Sequence, residues 1–294
     1  MADFRPVPRR SALYVPGSNL KALDKARTLD ADVLVFDLED AVHPNAKDQA
    51  RDNVMAAIKK GGYRSELVVR VNPLSGKLGQ ADIKAAARSG CHAVLLPKVE
   101  SAKDVRDAAL RLAAAGAPES VMLWAMIETP LGVLRAQEIA LSSPHLGALV
   151  MGTSDLVKDL RARHSEERVA ILPSLGLCLL AARAAGLPIL DGVHLDLNDE
   201  QGFAATCKQG AEMGFDGRTL IHPKTIATCN AVYGPSAADV EWSRKVIAAY
   251  EAASAQNIGV VVVDGKLVEH LHVESARNTV ALADAIAARA AKAA

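Results

Sequence analysis

The feature that most constrains the fold is an alternation of short β-branched runs with longer, alanine-rich helical patterns along most of the 294 residues. Such alternation is typical of βαβ units built around a parallel sheet. Eight runs predict strands, at residues 12–15, 33–37, 67–71, 93–96, 121–127, 147–151, 188–191 and 218–221. Helical patterns separate them, at residues 19–29, 46–60, 80–89, 102–115, 131–141, 168–185 and 200–213. Eight strands with intervening helices favour a closed (β/α)8 TIM barrel over an open sheet.

The chain continues well beyond the eighth predicted strand. We expect a catalytic barrel domain over residues 1–233 and a helical and hairpin extension over residues 234–294. The extension contains a helical pattern at 237–253, a hairpin of residues 260–263 and 266–271 with a turn at Asp264-Gly265, and a final helix at 274–291. We expect it to pack on the barrel or on a neighbouring subunit.

Composition excludes several classes of protein. Basic and acidic residues are equal, at 34 each, and aromatic residues make up 3%, so neither a basic nucleic-acid footprint nor a base-stacking platform is indicated. The most apolar stretch, residues 170–182, is shorter than the ~20 residues that span a bilayer. The N-terminus has no signal-peptide core, and the four cysteines fit no zinc template. The sequence therefore predicts a cytoplasmic protein that binds neither nucleic acid nor a membrane.

Acidic side chains follow two neighbouring predicted strands. Glu128 comes after the fifth strand and Asp155 after the sixth, and adjacent strands run ~4.7–4.9 Å apart. Active sites of TIM barrels lie at these carboxyl ends, and Mg2+ prefers one or two protein carboxylates with water and substrate oxygens. The pair predicts a metal site; the alternative is that each carboxylate caps a helix.

An arginine interrupts the apolar third strand. Arg70 lies between Val69 and Val71, and burying an unpaired guanidinium is costly, so it needs an anionic partner. Its planar fork suits a substrate carboxylate or thioester oxygen. Asp37 and Glu39 are two residues apart on an extended segment, so their side chains should point to the same side. Both could therefore face the site and orient Arg70. The alternatives are an internal ion pair for Arg70 and a solvated acidic loop.

Lys98 lies two residues after the fourth predicted strand, where a lysine could form a Schiff base as in some aldolases. The alternative is an ion pair with Glu100. Motifs for zinc proteases, serine hydrolases, nucleotide-binding loops and dinucleotide folds are absent from the sequence.

Nine segments of the chain carry a family resemblance. They are residues 10–17, 36–42, 70–72, 96–98, 127–129, 155–156, 191–196, 214–216 and 221–223. Together, and in this order, they resemble the citrate lyase beta-subunit and malyl-CoA lyase group of the HpcH/HpaI aldolase family, whose fold is a TIM barrel of the phosphoenolpyruvate-binding type.

The resemblance implies a set of roles for the residues already singled out. Glu128 and Asp155 match the family's Mg2+ ligands, with Mn2+ as an alternative ion, and Arg70 matches the arginine that contacts the keto-acid or thioester oxygen. Asp37 and Glu39 match the acidic residues around them. Coenzyme A would enter as part of the substrate.

Two further roles come from the resemblance. Lys21 and Lys25 would contact the coenzyme A phosphates. Glu269 occupies the position of an aspartate that, in related lyases, reaches a neighbouring subunit's active site as acid or base. A homotrimer or hexamer is implied.

The resulting hypothesis is an Mg2+-dependent lyase. It would cleave a 3-hydroxyacyl-CoA thioester, such as malyl-, citramalyl- or citryl-CoA, into a 2-oxo acid and an acyl-CoA, or form the thioester from these two compounds. The alternatives are a malyl-CoA-type thioesterase on the same site, a carrier-dependent subunit of a citrate lyase complex, and the Schiff-base aldolase.

Overall fold

The computed structural model describes residues 6–256 and 258–291. Eight parallel strands close into a barrel in chain order. They are β1 (Ser11–Pro16), β2 (Val33–Asp37), β3 (Glu66–Arg70), β4 (Ala93–Leu96), β5 (Met122–Ile127), β6 (Leu146–Met151), β7 (Ile189–Asp191) and β8 (Gly217–Leu220). The prediction of a (β/α)8 barrel is confirmed.

Helices follow the strands around the barrel. They are α1 (Leu20–Lys25), α2 (Lys47–Lys60), α3 (Lys77–Ala86), α4 (Ala102–Ala114), α5 (Pro130–Leu134), α6 (Ala136–Ala140), α7 (Thr153–Asp159), α8 (Leu172–Ala184), α9 (Glu200–Met213) and α10 (Ile226–Tyr233). Short 3-10 turns lie at Ala26–Thr28, Pro44–Ala46 and Pro223–Thr225. Local capping supports several starts: the side chain of Asn19 accepts from the backbone N–H of Ala22, and Ser101 and Asp104 form a capping box.

Apolar side chains from β1 to β7 fill the barrel interior. The buried cluster includes Val35, Leu95 and Trp124, all at most 1% exposed. At the amino-terminal end, Arg9 forms a forked ion pair with Glu66, at 2.7 and 2.8 Å, and lies 4.9 Å from the ring centroid of Trp124. The interior is therefore packed rather than hollow, which leaves the carboxyl ends of the strands for chemistry.

Several helix predictions differ from the structure. Helix α3 begins and ends three residues before the predicted 80–89, α8 begins four residues after the predicted start at 168, and α10 was not predicted. The helical pattern at 131–141 is divided into α5 and α6, because Arg135 between them has φ −109° and ψ 14°. Helix α7 was not predicted, since the polar run after β6 reads as a loop.

The chain forms two compact units. One consists of residues 9–230, and the other of residues 6–8 together with 231–256 and 258–291. The second unit contains α11 (Ala237–Ser254), a hairpin of β9 (Val261–Val263) and β10 (Lys266–Val268), and α12 (His270–Ala291). The predicted second hairpin strand, 266–271, ends early. The backbone N–H of Glu269 donates to Nδ1 of His272 at 3.0 Å, and α12 begins at once. Within the described residues, no helix is long and apolar enough to cross a membrane.

Candidate active site

A cavity of about 350 Å³ lies at the carboxyl ends of the barrel strands. Four residues singled out from the sequence line it: Asp37, Arg70, Glu128 and Asp155. Residues of β1, β5, β6 and β8, and of the loops after β2, β6, β7 and β8, complete its wall. The folded barrel therefore brings together residues that are up to 118 positions apart in the chain.

Arg70 is held by carboxylates on two sides. Its Nε and Nη2 donate to the two oxygens of Asp37, at 2.7 and 2.6 Å, and Nη1 lies 2.9 Å from Oε2 of Glu39. Arg70 is 8% exposed. A guanidinium has five N–H donors, so these three contacts leave donors for a ligand in the cavity.

Asp37 orients this guanidinium and has no acceptor capacity to spare. Besides the two Arg70 bonds, its oxygens accept from the backbone N–H groups of Glu39 and Ala41, at 2.9 and 3.0 Å. A carboxylate offers about four acceptor positions, and the side chain is fully buried. Asp37 therefore acts as a positioning residue for Arg70.

The loop beneath Arg70 is fixed by a second buried carboxylate. Asp82 accepts from the backbone and side-chain nitrogens of Asn72, at 3.0 and 2.6 Å. The Asn72 amide also donates to the carbonyl of Leu38 at 2.8 Å. A Cβ at Gly79 would lie 2.3 Å from the Asn72 carbonyl oxygen, so only glycine allows this helix to approach the loop. These contacts join the segments after β2 and β3.

Tyr14 is a cavity residue that the sequence reasoning missed. Its ring lies 4.7 Å from the Arg70 guanidinium carbon, a cation–π distance. Burial raises the pKa of Tyr14, although the Arg70 charge opposes this, so the hydroxyl stays protonated. The sequence could have indicated this residue, because alternate residues of a strand point to the same side, and Ala12 and Tyr14 share the inward face of β1.

Glu128 follows β5 and is only 4% exposed. Its Oε1 accepts from the backbone N–H of Lys98 at 2.7 Å. A Cβ at Gly152 would lie 2.6 Å from Oε2, so the backbone after β6 presses directly on the carboxylate. Burial raises the pKa of Glu128 to about 7, and the Lys98 N–H works against that rise.

Asp155 lies in the first turn of α7, not on an extended strand end as the sequence reasoning had it. Its side chain is 25% exposed and lines the cavity together with Glu128. Among the described residues no cluster of three or more His, Cys, Asp or Glu side chains is placed to hold a metal. Two carboxylates beside an open cavity suit Mg2+, which keeps several waters or substrate oxygens, and do not suit a closed zinc site.

Lys98 reaches into the same acidic group. Its Nζ lies 3.1 Å from Asp155 and 3.8 Å from Glu39, so its ion pairs are not with Glu100. Its φ of 50° is a strained left-handed conformation for a residue with a side chain. Burial lowers the pKa of Lys98, but the hydrogen bond to Asp155 and the charges of Glu128 and Glu39 outweigh it, so the pKa is raised.

Glu39, like Glu128, is a buried carboxylate whose pKa is raised. It is 5% exposed, and burial raises its pKa to about 7 even though Arg70 opposes the shift. Lys47 donates to the backbone carbonyls of Leu38 and Glu39, at 3.0 and 2.6 Å, which fixes the acidic loop.

The other predicted site residues lie elsewhere. Lys21 and Lys25 are exposed on α1 and, within the described part of the chain, are not among the residues that line the cavity. Glu269 belongs to the second unit, where it is half-buried directly before α12.

Comparison with known proteins identifies relatives over nearly the whole chain. The chain is 48% identical over 282 residues to a (3S)-malyl-CoA thioesterase of Cereibacter sphaeroides, covering 96% of each chain. It is 40% identical over 275 residues to a citrate lyase subunit beta of Escherichia coli, covering 92% of this chain and 91% of that one.

A solved structure of protein CitE from Mycobacterium tuberculosis, in complex with magnesium, acetoacetate and coenzyme A, matches with a TM-score of 0.76 and 29% identity. The match covers 96% of this chain and 100% of the other. The model of the HpcH/HpaI aldolase/citrate lyase family matches residues 10–223, which include the whole barrel and the cavity. The chain belongs to the HpcH/HpaI aldolase/citrate lyase family.

Proposed function

We propose that the chain is an Mg2+-dependent lyase that cleaves a 3-hydroxyacyl-CoA thioester, such as malyl-, citramalyl- or citryl-CoA, into a 2-oxo acid and an acyl-CoA. The observation that carries this proposal is one cavity whose lining includes the carboxylates of Glu128 and Asp155 and the guanidinium of Arg70, which Asp37 holds in place. Such a pair can hold one hard cation, while the fork recognises a carboxylate or carbonyl oxygen.

Similar proteins support the substrate class. The relative at 48% identity is named for malyl-CoA, and the solved relative holds magnesium, acetoacetate and coenzyme A together. Both descriptions combine a coenzyme A group with a small oxo- or hydroxy-acid portion. We carry that combination to this chain as a proposal.

Glu128 and Asp155 would hold the metal. The fit rests on the buried, cavity-lining carboxylate of Glu128 and on the partly exposed carboxylate of Asp155. Bound Mg2+ would supply Lewis-acid stabilisation of the oxygen on the carbon that becomes the 2-oxo group.

Arg70 would stabilise the negative charge that develops as the carbon–carbon bond breaks. Because Asp37 and Glu39 hold it rigidly, its remaining donors need no reorganisation during the reaction. Tyr14 supports the guanidinium from its ring face.

The proton balance of the cleavage is simple. A base removes the proton of the 3-hydroxyl, its oxygen becomes the carbonyl of the 2-oxo acid, and the bond between C2 and C3 breaks. The electron pair remains on the acyl-CoA as an enolate, which then takes up one proton. We propose Glu269 of a neighbouring copy as the acid and base, which requires an oligomer; the family resemblance implies a homotrimer or hexamer. We propose Lys21 and Lys25 as contacts for the coenzyme A phosphates.

A thioesterase is the second candidate function. The observation that favours it is that the relative at 48% identity is named a (3S)-malyl-CoA thioesterase. A third candidate, a subunit that acts on a carrier-bound acyl group, is favoured by the 40% identity to a citrate lyase subunit beta.

One experiment separates the three candidates. The purified chain is supplied with Mg2+ and, in turn, with malyl-CoA, citramalyl-CoA and citryl-CoA, and both the 2-oxo acid and free thiol are measured. A lyase releases the 2-oxo acid with no free thiol, whereas a thioesterase releases thiol and leaves the hydroxy acid intact. No turnover of any free coenzyme A ester, with activity on an acyl carrier protein thioester, would contradict both and support the carrier-bound subunit.

A further inference from the structure

The ring of Tyr14 forms part of the cavity floor beneath Arg70. Pro16 of β1, Asp37 and Arg70 lie side by side in the barrel register. Tyr14 is two residues earlier on β1, so its side chain lies one layer deeper on the inward side, where it packs against the core cluster and lines the cavity. The Arg70 guanidinium therefore lies over this ring, with its carbon 4.7 Å from the ring centroid.

The Tyr14 hydroxyl is a donor that the protein itself leaves unused. Within residues 6–256 and 258–291, no group forms a hydrogen bond with it, and it is not closed off from the cavity. Another hydroxyl at the cavity, that of Thr219, donates to the carbonyl of Asp191 at 3.1 Å. Polar groups inside proteins normally have a partner, so the free Tyr14 hydroxyl is available to a ligand in the cavity.

The chemistry of this hydroxyl is that of a fixed donor. Burial raises the pKa of Tyr14, and the Arg70 charge does not cancel that rise. A group that takes up and releases protons during turnover works best with a pKa near the working pH. Tyr14 is therefore suited to donating a hydrogen bond in every step, and the proton transfers remain with the proposed acid and base.

The barrel places Tyr14 opposite the proposed metal ligands. Eight strands close the barrel in chain order, so β1 and β5 lie on opposite sides of it. Tyr14 and Arg70 extend from β1 and β3, whereas Glu128 and Asp155 follow β5 and β6. With the oxo-acid portion of a substrate at the metal, its thioester portion reaches the side of Tyr14. The helix proposed to contact the coenzyme A phosphates, α1, also follows β1.

We infer that the Tyr14 hydroxyl is a catalytic hydrogen-bond donor to the thioester carbonyl oxygen, beside the donors of Arg70. The inference rests on the proposed function, because it takes the substrate to be a thioester bound in this cavity. When the carbon–carbon bond breaks, its electron pair forms an enolate whose negative charge lies on this oxygen. In thioester hydrolysis, attack of water on the carbonyl carbon places the charge on the same oxygen. A preorganised donor stabilises either transition state.

Tyr14→Phe tests the hydroxyl alone, because the ring and its contact with Arg70 remain. We expect an unchanged melting temperature and a kcat lower by about 10- to 100-fold. That loss is smaller than the roughly 100- to 1,000-fold effect of removing a single oxyanion donor, because Arg70 still serves the same oxygen.

Tyr63→Phe is the matched control. Its ring also contacts an arginine, Arg27, at 4.5 Å from the ring centroid, and its hydroxyl donates to the carbonyl of Leu23 at 2.9 Å, away from the cavity. We expect this variant to lose some thermal stability and to keep the wild-type kcat. A Tyr14→Phe variant with a kcat as close to the wild type as that of Tyr63→Phe would overturn the inference.

A binding measurement identifies the oxygen that the hydroxyl contacts. Pyruvate and oxaloacetate carry the oxo-acid groups without a thioester, so calorimetry in Mg2+ should give the same affinity for Tyr14→Phe as for the wild type. A tenfold loss of affinity would place the hydroxyl on the oxo-acid portion and overturn the inference. A wild-type chain that turns over no thioester, free or carrier-bound, would defeat the proposed function and the inference together, whereas an active wild type with an equally active Tyr14→Phe defeats the inference alone.

Discussion

Replacing Arg70 with lysine tests whether the site needs a planar fork or merely a positive charge. In the native chain three carboxylate contacts hold the guanidinium, two from Asp37 and one from Glu39. A lysine ammonium is a single point donor, so it can recover one of these contacts without moving the backbone. The variant keeps its charge and loses its geometry.

The structure gives a magnitude for each consequence. Hydrogen bonds to charged groups contribute ~1.5–3 kcal/mol each, and two are lost, so we expect the free energy of unfolding to fall by about 3–6 kcal/mol. Loss of one electrostatic donor to the transition state costs ~2.7–4 kcal/mol, which corresponds to a fall in kcat/KM of roughly 100- to 1,000-fold.

Arg9→Lys is the matched control. Arg9 also forks onto a carboxylate, Glu66, and also lies over an aromatic ring, that of Trp124, at the opposite end of the barrel. We expect it to lower the melting temperature by a comparable amount and to change kcat/KM less than threefold. Kinetics of 2-oxo acid release and thermal melts on both variants measure the two effects. If Arg70→Lys retained more than a third of wild-type kcat/KM, the proposed role of the fork would be wrong.

Three further predictions concern the metal, the lysine and the second unit. Burial raises the pKa of Glu128 in the folded chain to about 7, against an ordinary 4.5. Between these two pH values the folded chain keeps a proton that the unfolded chain has lost. The contribution of Glu128 to the free energy of unfolding therefore falls as the pH rises. Because the deprotonated carboxylate is the metal ligand, Mg2+ should raise the melting temperature more at pH 8 than at pH 6; Glu128→Gln should remove that difference, and a difference that persists would exclude Glu128 as a ligand. Since the pKa of Lys98 is raised, borohydride with a 2-oxo acid should leave no covalent adduct by mass spectrometry; an adduct on Lys98 would instead support the Schiff-base mechanism. If Glu269 acts across subunits, inactive Glu269→Ala mixed with inactive Arg70→Ala should recover activity, whereas proven subunit exchange without recovery would place Glu269 outside the proposed role.

The barrel strands could be predicted closely because each is a short apolar run bounded by turn-forming residues. Residues 33–37 and 93–96 coincide with β2 and β4, and the other predicted strands differ from the observed ones by one residue at one end or at both ends. Buried parallel strands give a continuous apolar signal, and the regular spacing fixes how many there are.

Local polar structure was harder to predict. Helix α7 starts directly after β6, and its first residues, Thr153 to Asp155, resemble a loop because they favour caps and turns as much as helix. Its buried positions Leu156 and Val157 are too few to give a clear helical period. The hairpin strand in the second unit likewise ends early because Glu269 and His272 form a local cap.

The partners of the charged residues needed the fold itself. From sequence, Arg70 required some anion, and both a substrate and Asp37 or Glu39 were possible; the structure shows that Asp37 and Glu39 both contact it. From the sequence, Lys98 could either form an ion pair with Glu100 or act in catalysis. In the structure its φ is 50° and its side chain lies 3.1 Å from Asp155. The φ of 50° at Lys98 leaves no periodic pattern in the sequence, because the loops on either side of the residue impose that conformation.

The charges around the cavity suggest an order of binding. Five carboxylates meet three cationic side chains there, which leaves two negative charges when all are ionised. The carboxylates are Asp37, Glu39, Asp40, Glu128 and Asp155, and the cations are Arg70, Lys98 and Lys158. A substrate that brings its own carboxylate would raise this excess, and like charges held together in a desolvated site repel strongly. A divalent cation offsets two of those charges before the substrate arrives. We therefore expect pyruvate or oxaloacetate to bind with at least tenfold lower affinity in chelator than in Mg2+, measured by calorimetry on the wild-type chain. Equal affinity in both conditions would mean that Arg70 alone balances the substrate carboxylate.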